Sequence, residues 1–127
     1  MAELNHTIVH SRDKKTGAAF LTGLLDLPDA TPFGPFMEVR TGNGVSLDYA
    51  DEETANIRPQ HYAFLVSEDE FDAAFARMKE QGVPYGPSPW ERDSGEINTN
   101  DGGRGVYFED PSGHVMEFLT VPYGGWS

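Results

Sequence analysis

Two histidines and two carboxylates recur at corresponding positions of this 127-residue sequence. His6 and His61 each open a run of strand-forming residues, and Asp48 and Glu117 each lie inside a later apolar run. A carboxylate in so apolar a strand either faces solvent or is held by a positive partner. Two imidazoles with a carboxylate form a ligand set for Fe(II), Mn, Ni or Zn that leaves positions open for a substrate. These residue types therefore predict a divalent-metal site.

An internal repeat is what relates these residues to each other. Asn5-His6 aligns with Gln60-His61, and Ala18-Ala19-Phe20 aligns with Ala73-Ala74-Phe75, both at an offset of 55 residues. Leu47-Asp48-Tyr49 aligns with Met116-Glu117-Phe118 at an offset of 69, which leaves 14 extra residues in the second half. Most of them fall in the polar stretch between Pro84 and Gly103. The repeat predicts two equivalent modules, each with the order strand, helix and further strands.

Hydrophobic periodicity and turn residues predict the individual elements of each module. The first half predicts a strand over 4–10, a helix over 13–25, a Pro/Gly-rich break over 28–35, and a hairpin of 36–41 with 45–50 around Gly42-Asn43-Gly44. The second half predicts a strand over 60–66, a helix between the capping box at Ser67 and Gly82, an edge segment over 83–90, and a hairpin of 106–109 with 115–121. The turn of that last hairpin is Asp110-Pro111-Ser112-Gly113, with Pro and Gly where a tight turn favours them.

Strand parity predicts which side chains share a face. Tyr62, Phe64 and Val66 are expected to pack beneath the helix, which turns His61 to the opposite face. By the same rule Met116 and Phe118 face the helix and Glu117 faces away. If both modules present that second face to a common concavity, the two imidazoles and the carboxylates converge there. Asp48 is then either a fourth ligand or polar lining.

Two further residues are candidates for catalysis. Tyr107 is expected to face the cavity, where its hydroxyl would bind or acidify a substrate oxygen, although a tyrosine at a strand edge is an equal alternative. Arg104 precedes the same strand and follows the polar segment 91–103, which we interpret either as a lid over the site or as a plain connection. His10 and His114 are expected to be surface or turn residues rather than ligands.

Composition excludes several classes of function. The formal net charge of −12 is spread along the chain and disfavours contact with nucleic-acid phosphates. The sequence contains no cysteine, which excludes disulfides, thiolate metal ligands and a cysteine nucleophile. No segment approaches the ~20 apolar residues of a membrane span, and the N-terminus lacks the pattern of a signal peptide. We therefore expect a soluble cytoplasmic protein without nucleic-acid or membrane partners.

The motif Tyr-Phe-Glu-Asp-Pro-Ser-Gly-His-Val-Met-Glu-Phe, together with the two upstream histidines, resembles the vicinal oxygen chelate superfamily. Its members include glyoxalase I, extradiol dioxygenases, fosfomycin-modifying transferases and bleomycin-type resistance proteins. The resemblance implies an α+β fold, with two tandem βαβββ modules (about 1–55 and 56–127) forming one domain with a cupped mixed sheet around a divalent metal. It also implies that His6, His61 and Glu117 are the metal ligands and that Asp48 takes the place of an additional carboxylate ligand.

The resemblance implies a metal-dependent enzyme, dioxygenase-like or glyoxalase-like, that acts on a small oxygenated organic compound. A second possibility is a protein of the same fold that sequesters an aromatic antibiotic without chemistry, with Phe33, Phe36, Trp90 and Trp126 available to line the cleft. Small members often form dimers, and modules of some sixty residues bury little core alone. A homodimer is therefore expected.

Overall fold

The computed structural model describes residues 1–125, so Trp126 lies outside the described residues. The chain divides into two compact units with their boundary between Arg58 and Pro59. Within the described part of the chain, no helix combines the length and the apolar composition that crossing a membrane requires.

The first unit is one four-stranded mixed sheet with a single α-helix. Its elements are β1 (His6–Ser11), α1 (Lys14–Leu25), β2 (Thr31–Phe33), β3 (Phe36–Arg40) and β4 (Ser46–Asp51). The strand order is β1-β4-β3-β2, with β1 parallel to β4 and the other neighbours antiparallel. The short strand β2 corrects the sequence interpretation, which treated 28–35 only as a break. Pro32 is tolerated there because β2 lies at the sheet edge.

The second unit repeats this arrangement. Its elements are β5 (His61–Leu65), α2 (Glu68–Glu80), β6 (Tyr85–Gly86), β7 (Gly105–Glu109) and β8 (Val115–Leu119). The strand order is β5-β8-β7-β6, and β5 is parallel to β8. The predicted α+β fold of two βαβββ modules is confirmed, and so is the repeat, since equivalent strands occupy equivalent places in the two sheets.

Both helices begin where the sequence predicts. The Asp13 carboxylate accepts hydrogen bonds from the backbone N–H groups of Lys15 and Thr16 (2.9 and 3.2 Å), so it caps α1. Ser67 and Glu70 form the predicted capping box at the start of α2. These caps fix the residues at which α1 and α2 begin, shortly after β1 and β5. Each helix then covers one face of its sheet.

The core of the second unit lies on the face predicted from strand parity. Met116 and Phe118 are fully buried, and the Phe118 ring contacts the Phe108 ring edge-on with centroids 4.9 Å apart. Burial of each such side chain contributes about 1.5–3 kcal/mol. The opposite face of β5 and β8 carries His61, Ala63 and Glu117, and this face is where the chemistry can occur.

Candidate metal centre in the second module

His61 and Glu117 form a direct pair on neighbouring strands. Ala63 lies opposite Glu117 in the parallel β5–β8 register, and His61 shares its face with Ala63. The His61 Nε2–H donates to Glu117 Oε1 at 3.0 Å. The Glu117 side chain is 1% exposed and the His61 side chain is 43% exposed. The imidazole is thus the positive or proton-donating partner that a buried carboxylate requires.

The second carboxylate oxygen of Glu117 is held by a residue that sequence reasoning did not select. The Tyr123 hydroxyl donates a hydrogen bond to Glu117 Oε2. Tyr123 begins a short 3-10 turn (Tyr123–Gly125) that follows β8 after a proline. The only signal in the sequence was an aromatic hydroxyl six residues after Glu117 in a Gly-rich tail. A pattern of that kind does not indicate where the tail folds.

Tyr107 faces Glu117, as strand parity predicts. It lies opposite Glu117 in the β7–β8 register, and its ring centroid is 5.8 Å from that of His61. Because Tyr123 gives its proton to Glu117, the Tyr107 hydroxyl donates to the Tyr123 oxygen at 2.5 Å. Burial and this hydrogen bond raise the pKa of Tyr107, so its hydroxyl remains protonated at neutral pH. Its oxygen keeps lone pairs that can accept a hydrogen bond from a ligand.

Arg104 is not brought together with Tyr107. Its Nε lies 3.0 Å from Glu68 Oε1 and its Nη2 lies 2.8 Å from Asp72 Oδ1, and its guanidinium covers the Phe71 ring at 4.4 Å from the centroid. The hydrogen bond to Asp72 raises the pKa of the guanidinium further above its ordinary value. All three of these partners belong to α2 or its first turn, so the observed contacts of Arg104 tie β7 to the helix.

The first unit presents His6 and Asp48 on one face of its sheet. His6 lies opposite Ser46 and Asp48 lies opposite Ile8, which places both side chains on the same side of β1 and β4. The Asp48 side chain is 5% exposed, and its Oδ1 has no hydrogen-bond partner among the described residues. His6 is exposed, and its Nδ1 pairs with Asn5 Oδ1 at 2.7 Å. A buried carboxylate oxygen left without a partner is costly, which is a property expected of a residue that meets a ligand.

Within residues 1–125, no group of three or more His, Asp and Glu side chains lies close enough to hold a metal ion. The second module contributes two donors, His61 and Glu117. Their facing atoms are 3.0 Å apart. Donor atoms this close to each other are near enough to bind the same ion if one were present. An imidazole nitrogen and a carboxylate oxygen suit Fe(II), Mn, Ni or Zn, so this pair fits a divalent ion.

The polar segment before Arg104 is tethered along its length. Gly95 N–H donates to the Tyr85 carbonyl at 2.9 Å, and Asn98 exchanges two backbone hydrogen bonds with Gly105 at 2.9 and 3.0 Å. Asn98 Nδ2 also donates to the Pro87 carbonyl at 2.9 Å. Motion of the whole segment as a lid would break these bonds, so the lid interpretation applies at most to the residues between the tethers.

Residues 3–118 match the family described as the Glyoxalase/Bleomycin resistance protein/Dioxygenase superfamily. The match covers both modules and ends one residue after Glu117. The chain belongs to this superfamily. The resemblance inferred from the Asp-Pro-Ser-Gly-His motif and the two histidines is therefore confirmed at the level of family and fold.

Similarity within the superfamily is high to two solved structures named as oxidases. The chain is 54% identical to Oxidase ChaP-H1, with a TM-score of 0.94, covering 98% of this chain and 100% of that one. It is 56% identical to Oxidase ChaP-H2, with a TM-score of 0.93, covering 98% and 97% of the two chains. It is also 29% identical over 123 residues to the glutathione transferase FosA of Serratia marcescens, covering 92% of this chain and 79% of that protein.

Proposed function

We propose that this chain is a metal-dependent oxidase that acts on a small oxygenated organic compound. The observation that carries the proposal is the pairing of a buried Glu117 with a half-exposed His61 at 3.0 Å. A buried carboxylate beside an accessible imidazole supplies two donors that a ligand can reach from solvent, as an open metal site requires.

The proposed ligand set extends this pair by the sequence repeat. We propose His6, the counterpart of His61, as the third ligand, and Asp48, the counterpart of Glu117, as either a fourth ligand or polar lining. Because no three such side chains come together within residues 1–125 of one chain, the set would be completed by a second copy in the expected homodimer. A bound Fe, Mn, Ni or Zn ion supplies Lewis-acid stabilisation of charge that develops on neighbouring substrate oxygens. The unpartnered Oδ1 of Asp48 supports a role at the site for this carboxylate.

Tyr107 is proposed to position the substrate. Its hydroxyl oxygen lies on the face that carries His61 and Glu117 and can accept a hydrogen bond from a substrate hydroxyl. Tyr123 fixes the orientation of both Tyr107 and Glu117 through its own hydroxyl. Arg104 has no part in this proposal, because its observed partners are the acids of α2.

The choice of an oxidase over a lyase or transferase rests on similarity. Two proteins named as oxidases share 54% and 56% of their residues with this chain over nearly its whole length. An oxidase transfers electrons from its substrate to O2, so oxygen consumption is the direct readout. A sequestering protein of the same fold would bind aromatic compounds without consuming oxygen.

The test is metal analysis combined with oxygen uptake. Protein purified without chelator should contain about one divalent transition metal per chain, and His61→Ala should lose it. His10→Ala, which removes an exposed histidine from β1, serves as the matched control and should keep it. Oxygen electrodes with catechols and related phenols then measure turnover. A wild-type protein that is metal-free and cannot be loaded with Fe, Mn, Ni or Zn would refute the enzymatic proposal, and tight binding of such compounds without oxygen uptake would support sequestration.

A further inference from the structure

His114 is a buried histidine that the proposed chemistry does not use. It directly follows the Asp-Pro-Ser-Gly turn, as the sequence indicates, but it is not a surface residue, since it is only 1% exposed. Its Nδ1 accepts a hydrogen bond from the backbone N–H of Gln60 at 3.0 Å. The carbonyl of Gln60 accepts from the Val115 N–H at 2.8 Å. Both backbone polar groups of Gln60 are therefore held by two consecutive residues of the second hairpin.

The turn before His114 is itself fixed by hydrogen bonds. Asp110 Oδ1 accepts from the backbone N–H groups of Ser112 and His114, both at 2.9 Å. The Asp110 N–H donates to the His114 carbonyl at 3.0 Å, and Gly113 adopts a φ of 90°, which favours glycine. The His114 ring meets the Tyr62 ring edge-on, with centroids 5.6 Å apart. The His114 imidazole is thus held by the hydrogen bonds of its own backbone to Asp110 and by its contact with the Tyr62 ring in β5.

The residues held by these hydrogen bonds lie next to the proposed metal ligands in the sequence. Gln60 directly precedes His61. His114 directly precedes β8, the strand that carries Glu117, and Val115 is the first residue of β8. His61 lies opposite Val115 in the parallel β5–β8 pair. A slip of one residue in this register would turn His61 to the helix-covered face and separate it from Glu117.

We propose that His114 is a positioning residue that sets the orientation of His61 toward Glu117 by holding the Gln60 N–H through its Nδ1. This inference rests on the proposed function in that it takes His61 and Glu117 as metal ligands. An acceptor at Nδ1 requires the neutral imidazole with its proton on Nε2. The role therefore depends on an acceptor at this point of the side chain rather than on burial or bulk.

Two substitutions separate the acceptor from the bulk. In His114→Asn, the amide oxygen stands close to the place of Nδ1 and can accept from Gln60, whereas His114→Leu fills the space without an acceptor. Met116→Ala is the control for general destabilisation, because Met116 is fully buried in β8 and faces the helix, away from Glu117. The wild type and the three variants are compared at a temperature at which each protein remains folded.

Three measurements test the proposal. Amide hydrogen exchange of Gln60 in the metal-free protein should be protected in the wild type and in His114→Asn, and accelerated in His114→Leu. The Kd for Co(II) should weaken about 10–100-fold in His114→Leu and be largely restored in His114→Asn. In the metal-free protein, the 15N shift of His61 Nε2 should report its hydrogen bond to Glu117 in the wild type, His114→Asn and Met116→Ala, and the loss of that bond in His114→Leu.

His114→Leu with wild-type Co(II) affinity and an unchanged His61 signal would overturn the proposal. So would a Met116→Ala variant that loses as much affinity as His114→Leu, since the effect would then follow stability alone. If the wild type itself binds no Co(II), the proposed function fails. The Gln60 exchange and the His61 signal still decide whether His114 positions His61.

Discussion

Replacing Glu117 by glutamine tests whether this carboxylate serves the fold or the metal. Glutamine has the size of glutamate and can keep both contacts if one hydrogen bond is reversed. Its amide oxygen can accept from the Tyr123 hydroxyl, and its NH2 group can donate to His61 Nε2 in the tautomer that carries its proton on Nδ1. The substitution removes the negative charge and turns one acceptor into a donor. The stability of Glu117→Gln should therefore be close to that of the wild type in chelator but lower than that of the wild type in the presence of metal. A carboxylate with a purely structural role predicts the same difference in both conditions.

The expected magnitudes follow from the burial of Glu117. Placing an ionised carboxylate in a site that is 1% exposed costs several kcal/mol. Two hydrogen bonds to the charged group return about 1.5–3 kcal/mol each, so the two contributions nearly cancel. In chelator, Glu117→Gln should lie within about 1 kcal/mol of the wild type. Glu117→Ala, which leaves His61 and Tyr123 without their partner and opens a cavity, should lose about 2–5 kcal/mol.

Thermal unfolding with and without metal is the assay. A divalent ion at 100 times its Kd should stabilise the wild type by about 2.7 kcal/mol, or about 10 °C at roughly 4 °C per kcal/mol. Glu117→Gln should lose that shift because a neutral amide is a poor ligand. Glu109→Gln is the matched control, because Glu109 lies in the same sheet with a side chain 54% exposed and pairs with Arg92 at 3.3 Å. It should keep the metal shift and change stability by less than about 1 kcal/mol.

Two results would refute this reasoning. A full metal-dependent shift in Glu117→Gln would show that the carboxylate is not a ligand. A loss of more than about 3 kcal/mol in chelator would show that the fold itself needs the charge, because the cost of burying it and the return from its hydrogen bonds would then not cancel.

Three further predictions concern Tyr123, Asp110 and assembly. Tyr123→Phe removes the hydroxyl shared by Glu117 and Tyr107 and should cost about 1 kcal/mol in urea unfolding; unchanged stability would contradict the observed hydrogen bonds. Burial raises the pKa of Asp110 above its ordinary 3.8, so ionisation destabilises the fold, and Asp110→Asn should gain stability over the wild type as the pH rises above about 4; a constant difference across pH would refute this. Sedimentation at micromolar concentration should show a homodimer, and a monomer would refute that expectation.

Much of the fold is predictable because its signals are local. Gly42-Asn43-Gly44 marks a hairpin, Ser67 and Glu70 mark a helix start, and alternation along 61–65 separates two faces. The repeat adds a long-range constraint that a single module would not give. Equivalent strands must pair in equivalent order, and the two sheets do so.

The parts of the site that the sequence did not predict depend on where loops return. Tyr123 reaches Glu117 only because the tail folds back after β8. Arg104 differs from Tyr107 by three residues and therefore by strand parity, which turns it toward the acids of α2. His114 is buried because the hairpin turn packs against the entry to β5, a tertiary contact between residues 54 positions apart. Local sequence patterns do not predict such tertiary contacts.

The two modules have the same geometry but differ in how their acids are satisfied. Asp48 and Glu117 occupy corresponding places, each in the strand that pairs with the first strand of its module. Glutamate has one more methylene, and both of its oxygens are bonded. Asp48 is nearly as buried, yet its Oδ1 has no partner among the described residues. A buried oxygen without a hydrogen bond costs about 1–3 kcal/mol. A ligand that bonds Asp48 would therefore stabilise the first module more than a ligand at Glu117 would stabilise the second, where both carboxylate oxygens are already held by hydrogen bonds.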